Sequence, residues 1–205
     1  MSNKNLEYYK SLKEVAVRKV ASALSDTVRT TGIKFKYGIA FLAYMTHKGK
    51  TLEKVEKDGL VKKYLDEVKE NLKPELLEKL VDSFTSEEFE SYLVTYDQDN
   101  DFRENGVENS TPDSLIRLAL ELLDIQDEEE VVDLGSGVGN FLTLASMINP
   151  RAKYSGIEIS AENFVTAMLK AYVTKQDINY QMGNMFGRTT KTYDKVFNQF
   201  PMGLR

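Results

Sequence analysis

The stretch VVDLGSGVGNFL, residues 131–142, restricts the fold of this chain more than any other part of the sequence. Three glycines occur within five positions, after one short apolar run and before another. Glycine weakens strands and helices, but it reaches backbone conformations with positive φ and lets another group approach the main chain closely. The cluster therefore predicts a tight loop that joins a buried strand to a helix and faces a ligand.

From residue 111 onward, short strand-like runs alternate with helical ones. The predicted strands are EVVDL, AKYSGIEI, INYQMGN and YDKVFNQF, and the predicted helices between the first three are GNFLTLASMI and AENFVTAMLKAYV. Such alternation predicts a parallel α/β sheet, here of about four strands. The glycine loop would then lie at the carboxyl edge of the sheet, where open α/β folds bind their ligands.

Two acidic residues are predicted to share that edge. Asp133 lies two residues before the first glycine, and Glu158 ends the next predicted strand. The spacing G-x-G-x-G is not that of dinucleotide sites, and a carboxylate at position 133 would repel a diphosphate but attract an ammonium. Glu158 has the spacing of an acid that binds ribose hydroxyls; alternatively, it only caps the following helix together with Ser160. These residues favour a nucleoside cofactor with a cationic amino-acid part over NAD.

DLGSGVGNF, GIEIS and GNMF resemble the first three motifs of the class I S-adenosylmethionine-dependent methyltransferases. The resemblance implies a Rossmann-like sheet and S-adenosylmethionine as cofactor, without a metal. It assigns the methionine part to Asp133, Gly135, Ser136, Gly137 and Gly139, the ribose to Glu158, and the adenine to Asn184 and the Met185 backbone. Many relatives carry Asp where this chain has Asn184, but an amide both donates and accepts hydrogen bonds. The alternative is that Asn184 only ends its strand.

NSTPDSLIRLALELL, residues 109–123, resembles the helix before the glycine loop in adenine-N6 DNA methylases, especially type I restriction–modification methylation subunits. Thr111 is predicted to cap this helix and Pro112 to occupy its first position. The resemblance places both residues against the cofactor. Ser110 stands where those enzymes carry an aromatic residue.

The C-terminal stretch FNQFPMGLR stands where the same enzymes have an Asn-Pro-Pro-aromatic motif. The resemblance implies that Asn198 accepts a hydrogen bond from the adenine amine and that an aromatic ring stacks on the extruded base. Gln199 replaces the first proline, Phe200 the second and Pro201 the aromatic residue. The candidate catalytic residues are therefore Asn198, Phe200 and Pro201. The alternative is an ordinary strand end followed by a proline turn.

Residues 1–96 are predicted to form a helical N-terminal region. One apolar stripe runs through LEYYKSLKEVAVRKVASALSDTV and predicts one helix. Further helices are predicted for YGIAFLAYM, KTLEKVEKDGLVKKYLDEVKENL, PELLEKLVDSF and EEFESYLVTY, the last with a capping box at Thr85.

Residues 97–110 are predicted to be a linker. The alternative, a calcium-binding loop, is disfavoured because the glycine and the closing glutamate that such a loop requires are out of register. Residues 111–205 form the predicted cofactor-binding domain, expected to be truncated because only four of seven strands can be placed.

Composition excludes several kinds of chemistry. The chain has no cysteine and a single histidine, so disulfides, thiolate nucleophiles and cysteine-based zinc sites are excluded. His47, in the lysine-rich stretch THKGK, is predicted to be a solvated turn residue. No apolar run approaches the length of a membrane span, which predicts a cytoplasmic protein without membrane contact. Residues 1–50 carry ten basic and three acidic residues. Such a basic segment could contact phosphates, but a solvated helix face is the favoured interpretation.

The leading interpretation is the N-terminal part of an adenine-N6 DNA methyltransferase of the restriction–modification type. It would transfer methyl from S-adenosylmethionine to adenine in DNA, with a specificity subunit or a missing C-terminal part as partner. One alternative keeps the cofactor and changes the substrate to RNA or a protein glutamine. Another is a non-catalytic cofactor-binding or assembly subunit. The glycine spacing and Asp133 disfavour a nicotinamide dehydrogenase.

Overall fold

The computed structural model describes residues 6–12, 16–96, 111–187 and 191–199, with the backbone only for residues 6 and 7. The chain divides into two compact units, Met1–Tyr96 and Asp97–Arg205. The predicted linker and two of the candidate catalytic residues, Phe200 and Pro201, lie outside the described residues. Within the described ranges, no helix is both long and apolar enough to cross a membrane.

The first unit is helical throughout its described elements. These are α1 (Leu6–Ser11), α2 (Arg18–Thr31), α3 (Lys36–Lys48), α4 (Gly59–Asn71), α5 (Pro74–Ser83) and α6 (Ser86–Thr95). Helix α3 is the centre of the unit, because every residue from Tyr37 to Met45 is buried and the helix packs against α2, α4, α5 and α6. A helix that is apolar on all sides is stable only when neighbours surround it.

The single helix predicted for LEYYKSLKEVAVRKVASALSDTV is wrong. The structure has two helices there, with α1 followed by a turn at Leu12. The Tyr9 hydroxyl donates to Glu90 Oε1 at 3.0 Å, and the Ser91 hydroxyl donates to the Tyr9 carbonyl at 2.6 Å. These buried bonds hold α1 on α6. Helix α2 contacts α6 too, but it also packs on α3. The apolar stripe does not reveal the break, because it continues at helical spacing through both helices.

Side-chain caps determine where two helices of this unit begin. The charged, helix-like stretch that starts at residue 50 becomes helical only at α4, where Asp58 Oδ1 accepts from the Leu60 and Val61 amides at 2.9 and 3.0 Å. The predicted capping box of α6 is confirmed. The Thr85 hydroxyl accepts from the Glu88 amide at 3.2 Å, and Glu88 Oε2 accepts from the Thr85 amide at 2.8 Å.

His47 is not the solvated turn residue that the sequence predicts. Helix α3 continues through it and ends at Gly49, whose φ of 56° is left-handed. The histidine is half-buried, and its ring centroid lies 6.0 Å from that of Phe89. Its Nε2 is buried and has no hydrogen-bond partner among the described residues. Helical periodicity thus outweighs the turn-like composition of THKGK.

The second unit is an α/β sheet structure, as predicted. Its described elements are α7 (Asp113–Leu123), β1 (Glu130–Leu134), α8 (Asn140–Ile148), β2 (Lys153–Glu158), α9 (Ala161–Thr174), β3 (Ile178–Met182) and β4 (Lys195–Phe197). The four strands are parallel in the order β3-β2-β1-β4. Helix α9 packs on β2 and β3, and α8 packs on β2 and α9. Because the strand order reverses at β1, the carboxyl ends of β1 and β4 form the crevice that typically binds ligands.

A tyrosine on β3 occupies the space left by a glycine on β2. Gly156 pairs with Tyr180 in the sheet register. A Cβ placed on Gly156 would lie 2.6 and 2.7 Å from two carbons of the Tyr180 ring and 2.8 Å from Leu142 Cδ1. Such distances are far below van der Waals contact, so the ring and helix α8 can pack here only because this residue is glycine.

Replacing Gly156 by alanine is therefore expected to destabilise the protein by about 1–3 kcal/mol, the usual cost of overpacking a core. Urea unfolding measures the effect. Gly183→Ala is the matched control, because a Cβ there would meet its nearest neighbour, Ile157 Cγ2, at 3.8 Å. Equal stability of the two variants would contradict the packing argument.

Candidate functional site

The glycine loop has the backbone conformation that its composition predicts. Gly135, Gly137 and Gly139 all have positive φ, at 94°, 53° and 80°. The amides of Gly135 and Ser136 both donate to the Ile157 carbonyl at 2.9 Å, which ties the loop to the end of β2. Since side chains rarely adopt positive φ, glycine at these three positions makes the turn between β1 and α8 possible.

Asp133 and Glu158 lie together, as the cofactor prediction requires. They come from the carboxyl ends of neighbouring strands, and their side chains are 3% and 6% exposed. Burial raises the pKa of the Asp133 carboxyl well above its usual range, and the nearby Glu158 charge raises it further. Asp133 Oδ1 has no hydrogen-bond partner among the described residues. An ionised carboxylate in this place needs a cation or a donor to compensate its burial.

The Glu158 carboxylate is already held by two main-chain amides. Oε2 accepts from the Gly137 amide and Oε1 from the Ser160 amide, both at 2.7 Å. Ser160 is also the N-cap of α9. Glu158 therefore joins the glycine loop to the start of the next helix, while each of its oxygens retains a second lone pair for another donor.

Glu158→Gln is expected to destabilise the ligand-free protein by about 1–3 kcal/mol, because one carboxylate oxygen becomes an NH₂ group that faces a donor. Chemical denaturation followed by circular dichroism measures the loss. Glu121→Gln, at an exposed position on α7, is the control and is expected to change stability by less than about 0.5 kcal/mol. A Glu158 variant as stable as this control would show that the two amide contacts contribute nothing.

The predicted adenine-binding residues follow β3. Asn184 Oδ1 accepts from the Phe186 amide at 3.0 Å, and the Gly187 amide donates to the Asn184 carbonyl at 2.8 Å. Asn184 thus organises a tight turn as well as ending the strand region. Met185 is half-buried, and its sulfur accepts a hydrogen bond from Asn198 Nδ2 at 3.4 Å. The assignment of Asn184 and Met185 to adenine stays a prediction.

Asn198 lies beside the glycine loop. It follows β4, whose Phe197 pairs with Asp133 in the register and stacks on Phe141 of α8 with ring centroids 4.0 Å apart. Asn198 Oδ1 lies 3.9 Å from a Cβ placed on Gly135. This oxygen is buried and has no hydrogen-bond partner among residues that the structure describes. The fold therefore leaves a buried acceptor next to the predicted cofactor.

The helix that follows Thr111 and Pro112 begins one residue later than predicted. Helix α7 begins at Asp113, with Pro112 as its N-cap and no side-chain capping bond, so the predictions of Thr111 as cap and Pro112 as first helical residue are wrong. Asp113 pairs instead with Arg117 one turn on, at 3.0 Å. Thr111 is half-buried and Pro112 is exposed. Their contact with a cofactor stays a prediction.

Two buried polar residues near the loop, Tyr180 and Lys170, are not among the residues predicted from the sequence. A Cβ placed on Gly139 would clash with the Tyr180 hydroxyl, so this glycine makes room for a side chain as well as for the turn. Lys170 of α9 is fully buried, and its Nζ donates to Asn140 Oδ1, at the start of α8, at 2.5 Å. The sequence does contain a signal for the burial of Lys170, because this residue stands three positions after buried Ala167 on an otherwise apolar helix face.

Comparisons with known proteins agree with the fold of the second unit. The family model described as "Histone methylation protein DOT1" matches residues 104–201. A putative class I S-adenosylmethionine-dependent methyltransferase from Listeria monocytogenes is similar in structure, with a TM-score of 0.55 and 15% identity over 92% of this chain and 59% of its own. The second unit has the class I methyltransferase fold.

A second solved structure extends the comparison. The methyltransferase subunit of a type I restriction–modification system from Streptococcus thermophilus is similar, with a TM-score of 0.51 and 11% identity over 93% of this chain and 63% of its own. The chain thus spans less than two thirds of both proteins. A search of curated proteins returned no match to the sequence. The predicted fold class and the resemblance to class I methyltransferases are confirmed.

Proposed function

We propose that the second unit binds S-adenosylmethionine over the glycine loop and transfers its methyl group to a nitrogen atom, with N6 of adenine in DNA as the first candidate. The observation that carries this proposal is the Asn198 side-chain oxygen, a buried acceptor beside Gly135 without a hydrogen-bond partner among the described residues. Buried polar atoms are normally hydrogen-bonded, so an N–H donor suits this position.

The residues present fit the cofactor. Asp133 offers a buried carboxylate for the amino-acid ammonium, and Glu158 keeps lone pairs for ribose hydroxyls. The loop backbone allows close approach at Gly137, where an added Cβ would meet nothing within 4 Å. We assign adenine contacts to the Asn184 side chain and the Met185 backbone. When bound, S-adenosylmethionine supplies an activated methyl group on a sulfonium, so that no metal is needed.

Asn198 addresses the weakness of an exocyclic amine as a nucleophile. The nitrogen lone pair of adenine N6 is delocalised into the ring. An acceptor that binds one amino hydrogen moves the nitrogen toward tetrahedral geometry and concentrates the lone pair on it. Gln199 Oε1 is a second buried acceptor without a partner in the described part of the chain, next to Asn198 in sequence.

Two comparisons support different substrates. The fold likeness to a type I restriction–modification subunit extends over both units of this chain and supports DNA as substrate, with other restriction–modification subunits as partners. The family model for a histone methylation protein supports a second candidate, the amine or amide nitrogen of a protein side chain. We favour DNA, because the helical first unit and the Thr-Pro helix also resemble DNA adenine methylases.

The test is methyl transfer from tritiated S-adenosylmethionine to unmethylated duplex DNA, RNA and a mixture of basic proteins, with calorimetry of S-adenosylhomocysteine binding in parallel. We expect label in DNA. Label in RNA or protein instead would replace the substrate class. Binding without transfer to any of the three would favour a non-catalytic cofactor-binding subunit, and absence of binding would overturn the cofactor site itself.

A further inference from the structure

Three segments of the second unit meet beside Gly135. The thioether of Met185, from the turn after β3, accepts a hydrogen bond from Asn198 Nδ2, after β4, at 3.4 Å. A Cβ placed on Gly135 would lie 3.7 Å from Met185 Cε and 3.9 Å from Asn198 Oδ1. The methionine side chain and the asparagine amide therefore lie side by side over the first glycine of the loop.

A thioether discriminates between the two ends of an amide. The sulfur of methionine can accept a hydrogen bond but cannot donate one, whereas an asparagine side chain has a donor end and an acceptor end. The bond to Met185 therefore turns Nδ2 toward the sulfur and leaves Oδ1 as the end without a hydrogen-bond partner among the described residues. The opposite rotamer would place Oδ1 against sulfur, with no hydrogen between them, and would present an NH₂ group to the substrate.

We propose that Met185 is a positioning residue, which orients the Asn198 amide so that its oxygen faces the substrate nitrogen. The inference rests on the proposed function, because it requires an N–H group of the substrate to donate a hydrogen bond to Asn198 Oδ1. It gives the Met185 side chain a role separate from the adenine contact assigned to this segment. The orientation selects substrates that donate a hydrogen bond at the methylated atom.

Met185→Leu tests the proposal, because leucine keeps the size of the side chain and removes the acceptor. Met182→Leu is the matched control. Met182 ends β3 only three residues earlier and is 55% exposed. Two measurements are made on each variant: steady-state methyl transfer with the substrate found for the wild type, and the proton–nitrogen NMR signals of the Asn198 side-chain amide, assigned by their disappearance in Asn198→Ala.

We expect kcat of Met185→Leu to fall about fivefold, the factor that one net hydrogen bond makes at room temperature. The Kd of S-adenosylhomocysteine stays unchanged, and the Asn198 amide signals move. Met182→Leu changes none of these quantities. If Met185→Leu does not fold, Met185→Ala is measured in the same way.

The outcomes separate this inference from the proposed function. Wild-type kcat and wild-type amide signals in Met185→Leu would overturn it. Parallel loss of S-adenosylhomocysteine binding would also overturn it, because Met185 would then act on the cofactor. If the amide signals move but the wild type methylates none of the tested substrates, the orienting bond is supported and the proposed function fails.

Discussion

Asp133→Asn is expected to abolish S-adenosylhomocysteine binding and at the same time to stabilise the ligand-free protein. The carboxylate is the predicted partner of the cofactor ammonium, and removal of one member of a buried charge pair weakens binding by at least about 100-fold. Without ligand the same carboxyl is buried, and its Oδ1 has no hydrogen-bond partner among the described residues. A neutral amide there avoids the cost of burying a charge and is expected to gain about 1–3 kcal/mol.

The stability gain depends on pH in a defined direction. Burial, with the Glu158 charge, raises the pKa of Asp133 in the folded protein, so this carboxyl holds its proton more tightly there than in the unfolded chain. Its contribution to stability is greatest below about pH 4, the unfolded pKa, and is lost as pH rises through the folded pKa. The advantage of Asp133→Asn should therefore be small in acid and should grow toward neutral pH.

Calorimetry and thermal unfolding across this pH range measure both effects. Asp177→Asn, an exposed position between α9 and β3, is the matched control and should leave binding and stability unchanged. An Asp133→Asn protein that binds S-adenosylhomocysteine as the wild type does would contradict the cofactor assignment. A variant less stable than the wild type at neutral pH would contradict the energetic argument alone.

Asn198→Ala is expected to lower methyl transfer by about 100- to 1,000-fold, the usual cost of removing one positioned polar group that acts in the transition state. Binding of S-adenosylhomocysteine should be retained, because the predicted cofactor contacts come from β1, β2 and the turn after β3. Single-turnover transfer of labelled methyl measures the chemical step.

The control for this variant is Asn179→Ala, on an exposed position of β3. It should retain full activity. Loss of cofactor binding in Asn198→Ala would move Asn198 from the substrate to the cofactor, and full activity would remove it from the site. The same assay distinguishes DNA from protein substrates, because a flexible lysine amine depends less on an acceptor for its nucleophilicity than adenine N6 does.

The glycine loop was predictable because its requirement is local. A strand that turns at once into a helix needs positive φ, and only glycine supplies it freely, so spacing alone located the turn. The proximity of Asp133 and Glu158 followed from sheet topology, since neighbouring parallel strands end at the same edge. Helix boundaries were less predictable: the break after α1 depends on contacts with α6, more than 80 residues away in sequence.

Residues whose roles arise only from packing could not be predicted. The thioether of Met185 meets Asn198 because two loops converge, and nothing in either segment indicates the other. The burial of Lys170 has a signal in the sequence, but its contact with Asn140, in the preceding helix, has none. Tyr180 sits on a strand whose sequence, INYQM, gives no sign that its ring crosses a neighbouring strand. Such contacts join segments that are distant in sequence.

The tyrosine ring on β3 has a consequence for how this sequence can diverge. It fills the volume of two absent β-carbons, at Gly139 and Gly156, so the three positions cannot vary independently. We expect relatives with a larger residue at either glycine to carry a smaller side chain at position 180. Covariation among these sites would then trace the shape of the packing layer rather than a shared chemical role.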